Sequence, residues 1–120
     1  MRLVIISDTH GLHEQLGQLE GDVLIHCGDG CPGRSRAEID SLDAWFGRQQ
    51  FEKILVVGGN HDVAVEDCVH KGIPAFRHAQ LLQDEAVQID GVRFYGSPWV
   101  PGLPGMAFHA THNAAAVLLT

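Results

Sequence analysis

Three short apolar runs mark the first half of the chain, and all three are rich in branched side chains. They are Leu3 to Ile6, Val23 to Ile25 and Ile54 to Val57. Continuous apolar runs of this length are typical of strands that are buried on both faces of a parallel sheet. Because parallel neighbours are joined by crossovers that are usually helical, the pattern predicts a β-α-β-α-β unit.

The two segments between these runs carry apolar residues at helical spacing. Leucines recur from Leu12 to Leu19 and stop near Gly21, which predicts a short first helix. The second segment opens with Ser35 and Glu38, a capping-box pattern, and closes at Gly47. Its apolar face consists of Ile39, Leu42, Trp45 and Phe46. We therefore expect a well-defined second helix after Ser35.

Beyond the third run, the pattern predicts a brief helix, a hairpin and a loop. Asp62 is placed to cap a brief helix that stops at Gly72. From Val87 to Phe94, apolar and polar residues alternate around Asp90-Gly91, a sequence typical of a type I′ turn, so we expect an antiparallel hairpin. The prolines and glycines between Ser97 and Gly105 predict a loop.

Length and charge limit the function classes. The 120 residues include eight Lys and Arg against fifteen Asp and Glu, a net charge of -7. We therefore expect one domain over residues 1–120 and no nucleic-acid scaffold as a partner. The opening segment lacks the features of a secretory leader, and no apolar stretch reaches membrane-spanning length. These features predict a soluble, cytoplasmic protein that does not bind a membrane.

A polar cluster follows each of the three predicted parallel strands. The clusters are Ser7 to His10, Gly28 to Gly30 and Gly58 to Asp62. Because parallel strands point the same way, their carboxyl ends share one edge of the sheet, where ligands bind in open α/β folds. We expect the three clusters to converge at that edge.

The residue types in these clusters suit a pair of divalent cations. Asp8 and His10 leave an extended tripeptide on the same side and offer a carboxylate oxygen and an imidazole nitrogen to one ion. Asp29 can bridge two ions with its two oxygens, and Asn60 offers an amide oxygen to the second. His61 can donate a proton or a hydrogen bond to a phosphate oxygen. Two such ions clamp a phosphate ester and activate a bridging water, so the clusters predict a hydrolase.

Local turn chemistry offers a simpler interpretation of each cluster. Asp8 can form an Asx turn, Asp29 a tight loop, and Asn60 or Asp62 a helix cap. Turn chemistry does not require histidine in both the first and the third cluster, which favours the joint, metal-binding interpretation. A nucleotide-binding Rossmann domain is disfavoured because no G-x-G-x-x-G motif follows the first predicted strand; the one at Gly28 to Gly33 follows the second.

The other histidines and the cysteines carry no recognisable motif. We expect His13 to be a solvated surface residue and His26 to be packed or hydrogen-bonded. The three cysteines, Cys27, Cys31 and Cys68, are odd in number and lack zinc-type spacing, so a disulfide framework is not expected. We expect Cys27 and Cys31 to behave as small apolar groups rather than as metal ligands.

Asp8-x-His10, Gly28-Asp29 and Gly59-Asn60-His61-Asp62, in this order, resemble the motifs of the calcineurin-like metallophosphoesterases. The resemblance covers roughly residues 2 to 105. It implies an α/β fold, the N-terminal half of a metallophosphoesterase-type αββα sandwich, built from β-α-β-α-β plus a β-hairpin.

The same resemblance implies a role for each matched residue. Asp8 and His10 become ligands of a first metal, Asp29 the bridging ligand, and Asn60 a ligand of a second metal. His61 becomes the residue that assists the leaving group, so the implied catalytic residues are His61 and Asp29. The implied cofactors are two divalent cations, with Mn, Fe and Zn as candidates, and a hydroxide between them is the implied nucleophile.

The residues around the hairpin and the bridging aspartate narrow the resemblance within the superfamily. Tyr95 to Trp99 resembles the small phosphodiesterase branch that includes the brain metallophosphoesterase-domain proteins. Gly30 to Gly33 stands where the protein serine/threonine phosphatases have an acidic-arginine-glycine motif. The implied substrate is therefore a small phosphate ester, a phosphodiester or a nucleotide rather than a phosphoprotein.

Two later motifs of the family, a Thr-His-Gly-Pro-Pro-like motif and a Gly-His-x-His motif, do not occur in the sequence. The matched residues alone leave both metal shells incomplete, and His109 or His112 is a candidate substitute ligand. Beyond these, Asn113 is placed to cap a last helical turn. The alternative function is that of a truncated, inactive half-domain that binds one metal weakly or acts as an interaction module. The missing half also predicts an exposed apolar sheet face, which a homo-oligomer would cover.

Overall fold

The computed structural model describes residues 1–110, and a parallel sheet of four strands organises them. In chain order the strands are β1 (Leu3–Ile6), β2 (Val23–His26), β3 (Lys53–Val56) and β4 (Gln80–Leu81), and they lie side by side in that same order. The three predicted strands are confirmed to within one residue at each end. β4 was not predicted, because two residues that lie at the edge of β3 leave no apolar run in the sequence.

Two helices cover one face of the sheet, and both begin where the sequence predicts. They are α1 (Arg36–Arg48) and α2 (Val63–Lys71), and Gly72 ends α2 in a left-handed conformation with φ of 67°. The large side chains of the core between helices and sheet are Leu24, Ile39, Leu42, Trp45, Phe46 and Val56. This core fixes the sheet edge from which the polar loops emerge.

The start of α1 differs from the predicted capping box. The Ser35 hydroxyl makes no capping hydrogen bond. The Glu38 carboxylate instead accepts the backbone N–H of Gly33 at 2.6 Å, two residues before the expected donor. The loop that precedes α1 is therefore tied to the first turn of the helix.

The predicted first helix is wrong, because only a 3₁₀ turn, His13–Leu16, forms there. Leu12 and Leu16 are 59% and 42% exposed, so the leucine pattern does not mark a buried face. Gly17, with φ of 65°, ends the turn. The prediction that His13 is solvated is also wrong: the residue is 1% exposed and its ring lies 5.7 Å from that of Trp45.

The predicted hairpin is confirmed and covers part of the opposite face of the sheet. It pairs β5 (Glu85–Ile89) with β6 (Val92–Gly96), and Asp90 and Gly91 take the positive φ values, 50° and 77°, that a type I′ turn requires. Its apolar side packs on a second core cluster that contains Val23, Leu55, Leu82 and Ile89. The described chain is thus an α/β domain with helices, parallel sheet and hairpin in three layers, as expected for the N-terminal half of an αββα sandwich.

The predicted loop after the hairpin contains one short strand. β7 (Val100–Pro101) pairs in parallel with β8 (His109–Ala110). The beginning of the loop is tied down by Asp84, whose carboxylate accepts hydrogen bonds from Ser97 Oγ at 2.9 Å and Trp99 Nε1 at 2.7 Å. His112 and the helical turn predicted after Asn113 lie outside the described residues.

Within the described chain, β1 is an edge strand of the sheet. Leu3 and Ile5 are 42% and 63% exposed, whereas Val4 and Ile6 pack against the helix-side core. Neither helix of residues 1–110 is long and apolar enough to span a membrane.

Candidate metal centre

The loops that follow β1 and β2 lie against each other, joined by backbone hydrogen bonds. The N–H of Asp8 donates to the carbonyl of Gly28 at 2.9 Å, and the N–H of His10 donates to the carbonyl of Asp29 at 3.0 Å. These bonds extend the parallel pairing of β1 and β2 into the polar clusters. The predicted convergence of the first two clusters is therefore present in the structure.

Asp8, His10 and Asp29 form one group of potential metal ligands. One donor atom from each lies within 4.8 Å of the others, and His10 Nε2 is 3.7 Å from Asp8 Oδ1. Two carboxylates and one imidazole suit Mn²⁺, Fe²⁺ or Zn²⁺. The Asp29 residue is 8% exposed, whereas the side chain of Asp8 is 62% exposed. The group therefore fits a divalent cation that is reached from solvent on the Asp8 side.

The electrostatic surroundings of Asp8 favour its ionised form. The Ser7 hydroxyl contributes most to lowering the pKa of Asp8, and Asp29, His10 and His26 lower it further. Partial desolvation acts in the opposite direction and does not reverse the shift. Asp8 therefore presents a carboxylate rather than a carboxylic acid, which is the form that a cation binds.

All three ligand candidates have a left-handed backbone, so the expected extended conformation of Asp8 and His10 is wrong. The φ values are 55° at Asp8, 44° at His10 and 60° at Asp29. Such conformations cost about 1 kcal/mol or more for residues other than glycine, and Asp and His are among the residues that adopt them most readily. Strained residues cluster at functional sites, where the surrounding structure holds them in place. The backbone conformation thus points to the same three candidate ligands as the distances between their donor atoms do.

The loop after β3 brings Asn60 and His61 beside this group. Asp29 Oδ1 accepts the backbone N–H of His61 at 2.9 Å, and the rings of His61 and His10 lie edge to face with centroids 5.2 Å apart. Asn60 is half-buried, and its backbone carbonyl accepts the N–H of Ala107 at 3.0 Å. The contacts of His61 with Asp29 and His10 show that all three predicted clusters meet at the same sheet edge. Asn60 and His61 also line one cavity.

Asp62 holds the second and third clusters together, a role that the sequence did not reveal. It was expected to cap α2, but its side chain makes no capping bond there. The carboxylate is 3% exposed and accepts backbone N–H groups from Asp29 at 2.7 Å, Gly59 at 2.8 Å and Cys31 at 2.9 Å. Burial raises the pKa of Asp62, although these three donors oppose the shift. The only sequence signal was its place at the end of the Gly59–Asp62 motif.

Glycines allow the two loops to approach each other this closely. A Cβ on Gly28 would lie 2.9 Å from the Cα of Gly59, and Gly28 has φ of 105°. A Cβ on Gly59 would lie 2.5 Å from the backbone nitrogen of Asp29. No side chain fits at either contact, so Gly28 and Gly59 are needed for Asp29 to reach its position.

The ring of His26 forms a hydrogen bond to each of the first two clusters, and it is neutral. It is 0% exposed, and burial lowers its pKa to about 4. The N–H of Gly28 donates to its Nδ1 at 3.2 Å, which places the ring proton on Nε2, 2.9 Å from the Thr9 hydroxyl. The prediction that His26 is packed or hydrogen-bonded is confirmed.

The remaining candidates lie apart from the donor group. His109 pairs with Val100 in β8, and its buried Nδ1 has no hydrogen-bond partner among the residues described. All three cysteines are free, as expected. Burial raises the pKa of Cys31 to about 12, which keeps it a thiol rather than a thiolate ligand.

The chain is similar in sequence to several known proteins. The chain is 28% identical to metallophosphoesterase domain-containing protein 1 of Homo sapiens over 137 residues, which include 95% of this chain and 42% of that protein. It is 31% identical to UPF0046 protein C25E10.12 of Caenorhabditis elegans, over 90% of this chain and 44% of the relative. The chain thus spans less than half the length of these relatives. The sequence model of a protein family, the calcineurin-like phosphoesterase superfamily domain, matches residues 1–115. The chain therefore belongs to the calcineurin-like phosphoesterase superfamily.

Proposed function

We propose that this chain contributes the metal-binding loops of a hydrolase that cleaves small phosphate esters, with phosphodiesters or nucleotides as substrates. The observation that carries the proposal is the donor group of Asp8, His10 and Asp29, which two strands of one parallel sheet bring within 4.8 Å of one another. Its position at the carboxyl ends of the strands is where α/β folds bind their ligands. Superfamily membership supports the same class of reaction.

Each residue of the centre has a separate task in this proposal. Asp8 and His10 would hold a first cation, Asp29 would be shared with a second, and Asn60 would supply an oxygen to the second. When bound, the two divalent cations, Mn, Fe or Zn, neutralise phosphate charge and lower the pKa of attacking water. The role proposed for Asp29 is supported by two hydrogen bonds, because its own N–H and its Oδ1 are both held by the third loop.

His61 is the proposed group that assists the leaving group. Its backbone is fixed by the bond to Asp29, whereas its side chain is exposed beside the ring of His10. An imidazole in that position can donate a proton or a hydrogen bond to the departing ester oxygen. The alcohol portion of the substrate therefore leaves on the His61 side of the centre.

Turnover of bis(p-nitrophenyl) phosphate by the purified chain with added Mn²⁺ tests the proposal. Asp29→Asn removes the bridging charge and keeps the shape of the side chain, so we expect the rate to fall by about 100-fold or more. Asp67→Asn, at an exposed position of α2, is the matched control and should leave the rate unchanged. Equal rates for wild type and Asp29→Asn would refute the proposal.

An alternative function, an inactive module that binds one cation weakly, has its own supporting observation. Among residues 1–110, the structure offers one group of three potential metal ligands, Asp8, His10 and Asp29, which is enough for one cation. In this case the intact chain binds at most one Mn²⁺ per molecule and does not turn over the diester. The exposed face of β1, with Leu3 and Ile5, is then the surface proposed for self-association. Sedimentation of the purified chain at several concentrations tests that association.

A further inference from the structure

A cavity of about 250 Å³ adjoins the candidate centre on the His61 side. Its lining residues come from three loops and the start of α2, and they are Pro32, Gly33, Arg34, Asn60, His61, Val63, Gly105 and Met106. Both walls are fixed by hydrogen bonds: Gly33 donates to Glu38 at 2.6 Å, and Ala107 donates to the carbonyl of Asn60 at 3.0 Å. The cavity is therefore a formed part of the site.

Arg34 is the positively charged residue of this cavity, and its side chain is available to a ligand. Within residues 1–110 its guanidinium makes no hydrogen bond or ion pair. Arg36, by contrast, donates to the Asp40 carboxylate and to the carbonyls of Pro74 and Ala75. In a chain of net charge -7, an arginine that lines the same cavity as Asn60 and His61 can receive an anionic or aromatic group.

Part of the cavity wall is apolar and suits a small organic group. Pro32, Val63 and Met106 present aliphatic and thioether surfaces. A dry cavity of about 150 Å³ is sufficient for benzene, so about 250 Å³ holds one ring with its substituents. A guanidinium plane stacks on aromatic faces, and a thioether makes favourable contacts with ring edges. Shape and lining together favour a single flat ring.

We propose that this cavity binds the alcohol portion of the phosphate ester and that Arg34 selects a substrate with a single aromatic ring there. The inference rests on the proposed function, because it needs the phosphate to lie at the donor group of Asp8, His10 and Asp29. His61 belongs to both places: its ring is 5.2 Å from that of His10, and it lines the cavity. An ester oxygen held near His61 directs its substituent into the cavity.

Calorimetric titration of the Mn²⁺-loaded chain with phenylphosphonate and with methylphosphonate tests the inference without requiring turnover. We expect the wild type to bind phenylphosphonate about tenfold more tightly than methylphosphonate. In Arg34→Ala and in Met106→Ala, this ratio should fall to about threefold or less. Arg34→Lys, which keeps the charge and loses the flat plane, should restore affinity for both anions and leave the ratio low. Arg93→Ala, at an exposed position of β6, is the matched control and should keep the ratio.

The outcomes separate this inference from the proposed function. A wild-type ratio near one, or a ratio that survives both alanine substitutions, overturns the aromatic cavity even if bis(p-nitrophenyl) phosphate is hydrolysed. Failure of the wild type to bind either anion overturns it as well. Selective, Arg34-dependent binding without hydrolysis supports the cavity and contradicts the hydrolase.

Discussion

The Asp62 carboxylate accepts the backbone N–H of Asp29 at 2.7 Å, across 33 positions of sequence. The same oxygen also accepts the N–H of Gly59 at 2.8 Å. The residue that carries the proposed bridging ligand is therefore held to the loop of Asn60 and His61 by one buried side chain. The position of the bridge depends on a residue that we do not propose to touch a cation or substrate.

Asp62→Asn should weaken both folding and cation binding. The amide places an N–H₂ group where one oxygen accepted backbone donors, and buried donors without an acceptor cost about 1–3 kcal/mol. We expect that loss of unfolding free energy in urea titrations. Substitution of such supporting residues lowers metal affinity by about 10- to 100-fold, which Mn²⁺ calorimetry measures.

The control for this variant is Asp67→Asn, which removes the same charge from the exposed surface of α2. Asp67 pairs with Lys71 at 2.9 Å, and exposed pairs of this kind contribute about 0.5 kcal/mol or less. Similar Mn²⁺ affinities for Asp62→Asn and Asp67→Asn would contradict the role assigned to Asp62.

Gly59→Ala should separate the loops that carry Asp29 and His61. The new methyl group collides with the backbone nitrogen of Asp29, which donates to Asp62, and with the carboxylate of Asp29, which accepts the N–H of His61. Neither group can move without breaking its hydrogen bond. We expect a loss of about 2–4 kcal/mol in unfolding free energy and loss of measurable Mn²⁺ binding. Gly17 has φ of 65°, but an added Cβ there would lie in open space. Gly17→Ala should therefore cost only about 1 kcal/mol of unfolding free energy and keep Mn²⁺ binding. Normal Mn²⁺ affinity in Gly59→Ala would show that the close approach is not needed.

His26 should make the stability of the metal-free chain depend on pH between about 6.5 and 4. Its pKa falls from 6.5 in the unfolded chain to about 4 in the fold, so the unfolded state binds more protons in this interval. The contribution of His26 to stability is then complete above pH 6.5 and decreases as the pH falls towards 4, by on the order of 3 kcal/mol. Urea titrations in the presence of a chelator, at several pH values, measure this slope.

His26→Gln should remove most of that slope, because glutamine does not titrate and keeps a donor for Thr9. His13, whose pKa burial also lowers, should retain a smaller dependence of the same sign. His70→Gln, at an exposed position of α2, should leave the slope intact. A slope in His26→Gln equal to that of the wild type would contradict the assignment.

Added Mn²⁺ should stabilise the fold, and a chelator should reverse the effect. A cation that binds only the folded state adds about 2.7 kcal/mol when its concentration is 100 times the dissociation constant. Asp8→Asn preserves side-chain shape and tolerates the left-handed backbone, yet removes the exposed carboxylate, so the stabilisation should be lost. Thermal denaturation with Mn²⁺, with and without chelator, gives the comparison. An unchanged Mn²⁺ effect in Asp8→Asn would exclude this carboxylate as a ligand.

The sequence predicted the convergence of the clusters because the strands before them are short, continuous apolar runs, which are typical of parallel strands. The expected burial on both faces is wrong for β1, where Leu3 and Ile5 are exposed. Parallel strands of that kind leave little freedom in topology, so the ends of β1, β2 and β3 had to share an edge. The proximity of Asp8, His10 and Asp29 followed from that. Their left-handed backbone did not, because φ depends on hydrogen bonds to the neighbouring loop that the local sequence does not encode.

The failures have the same physical origin in tertiary contacts. Asp62 has the local pattern of a helix cap, but donors from Asp29, Gly59 and Cys31 compete successfully for its carboxylate. The leucines after His10 have helical spacing, but the hydrophobic core is filled from α1, so the 3₁₀ turn buries His13 and exposes Leu12. Periodicity describes a residue's neighbours in sequence and cannot choose among partners that the fold supplies.

The left-handed φ angles at Asp8, His10 and Asp29 also constrain how this chain can diverge. A lineage that abandoned ion chemistry would be free of the need for charge, yet its main chain would still disfavour β-branched replacements at these positions. Such a lineage would drift first to glycine or asparagine rather than to valine or isoleucine. Replacement patterns among related chains at these three positions would therefore record two independent selective pressures.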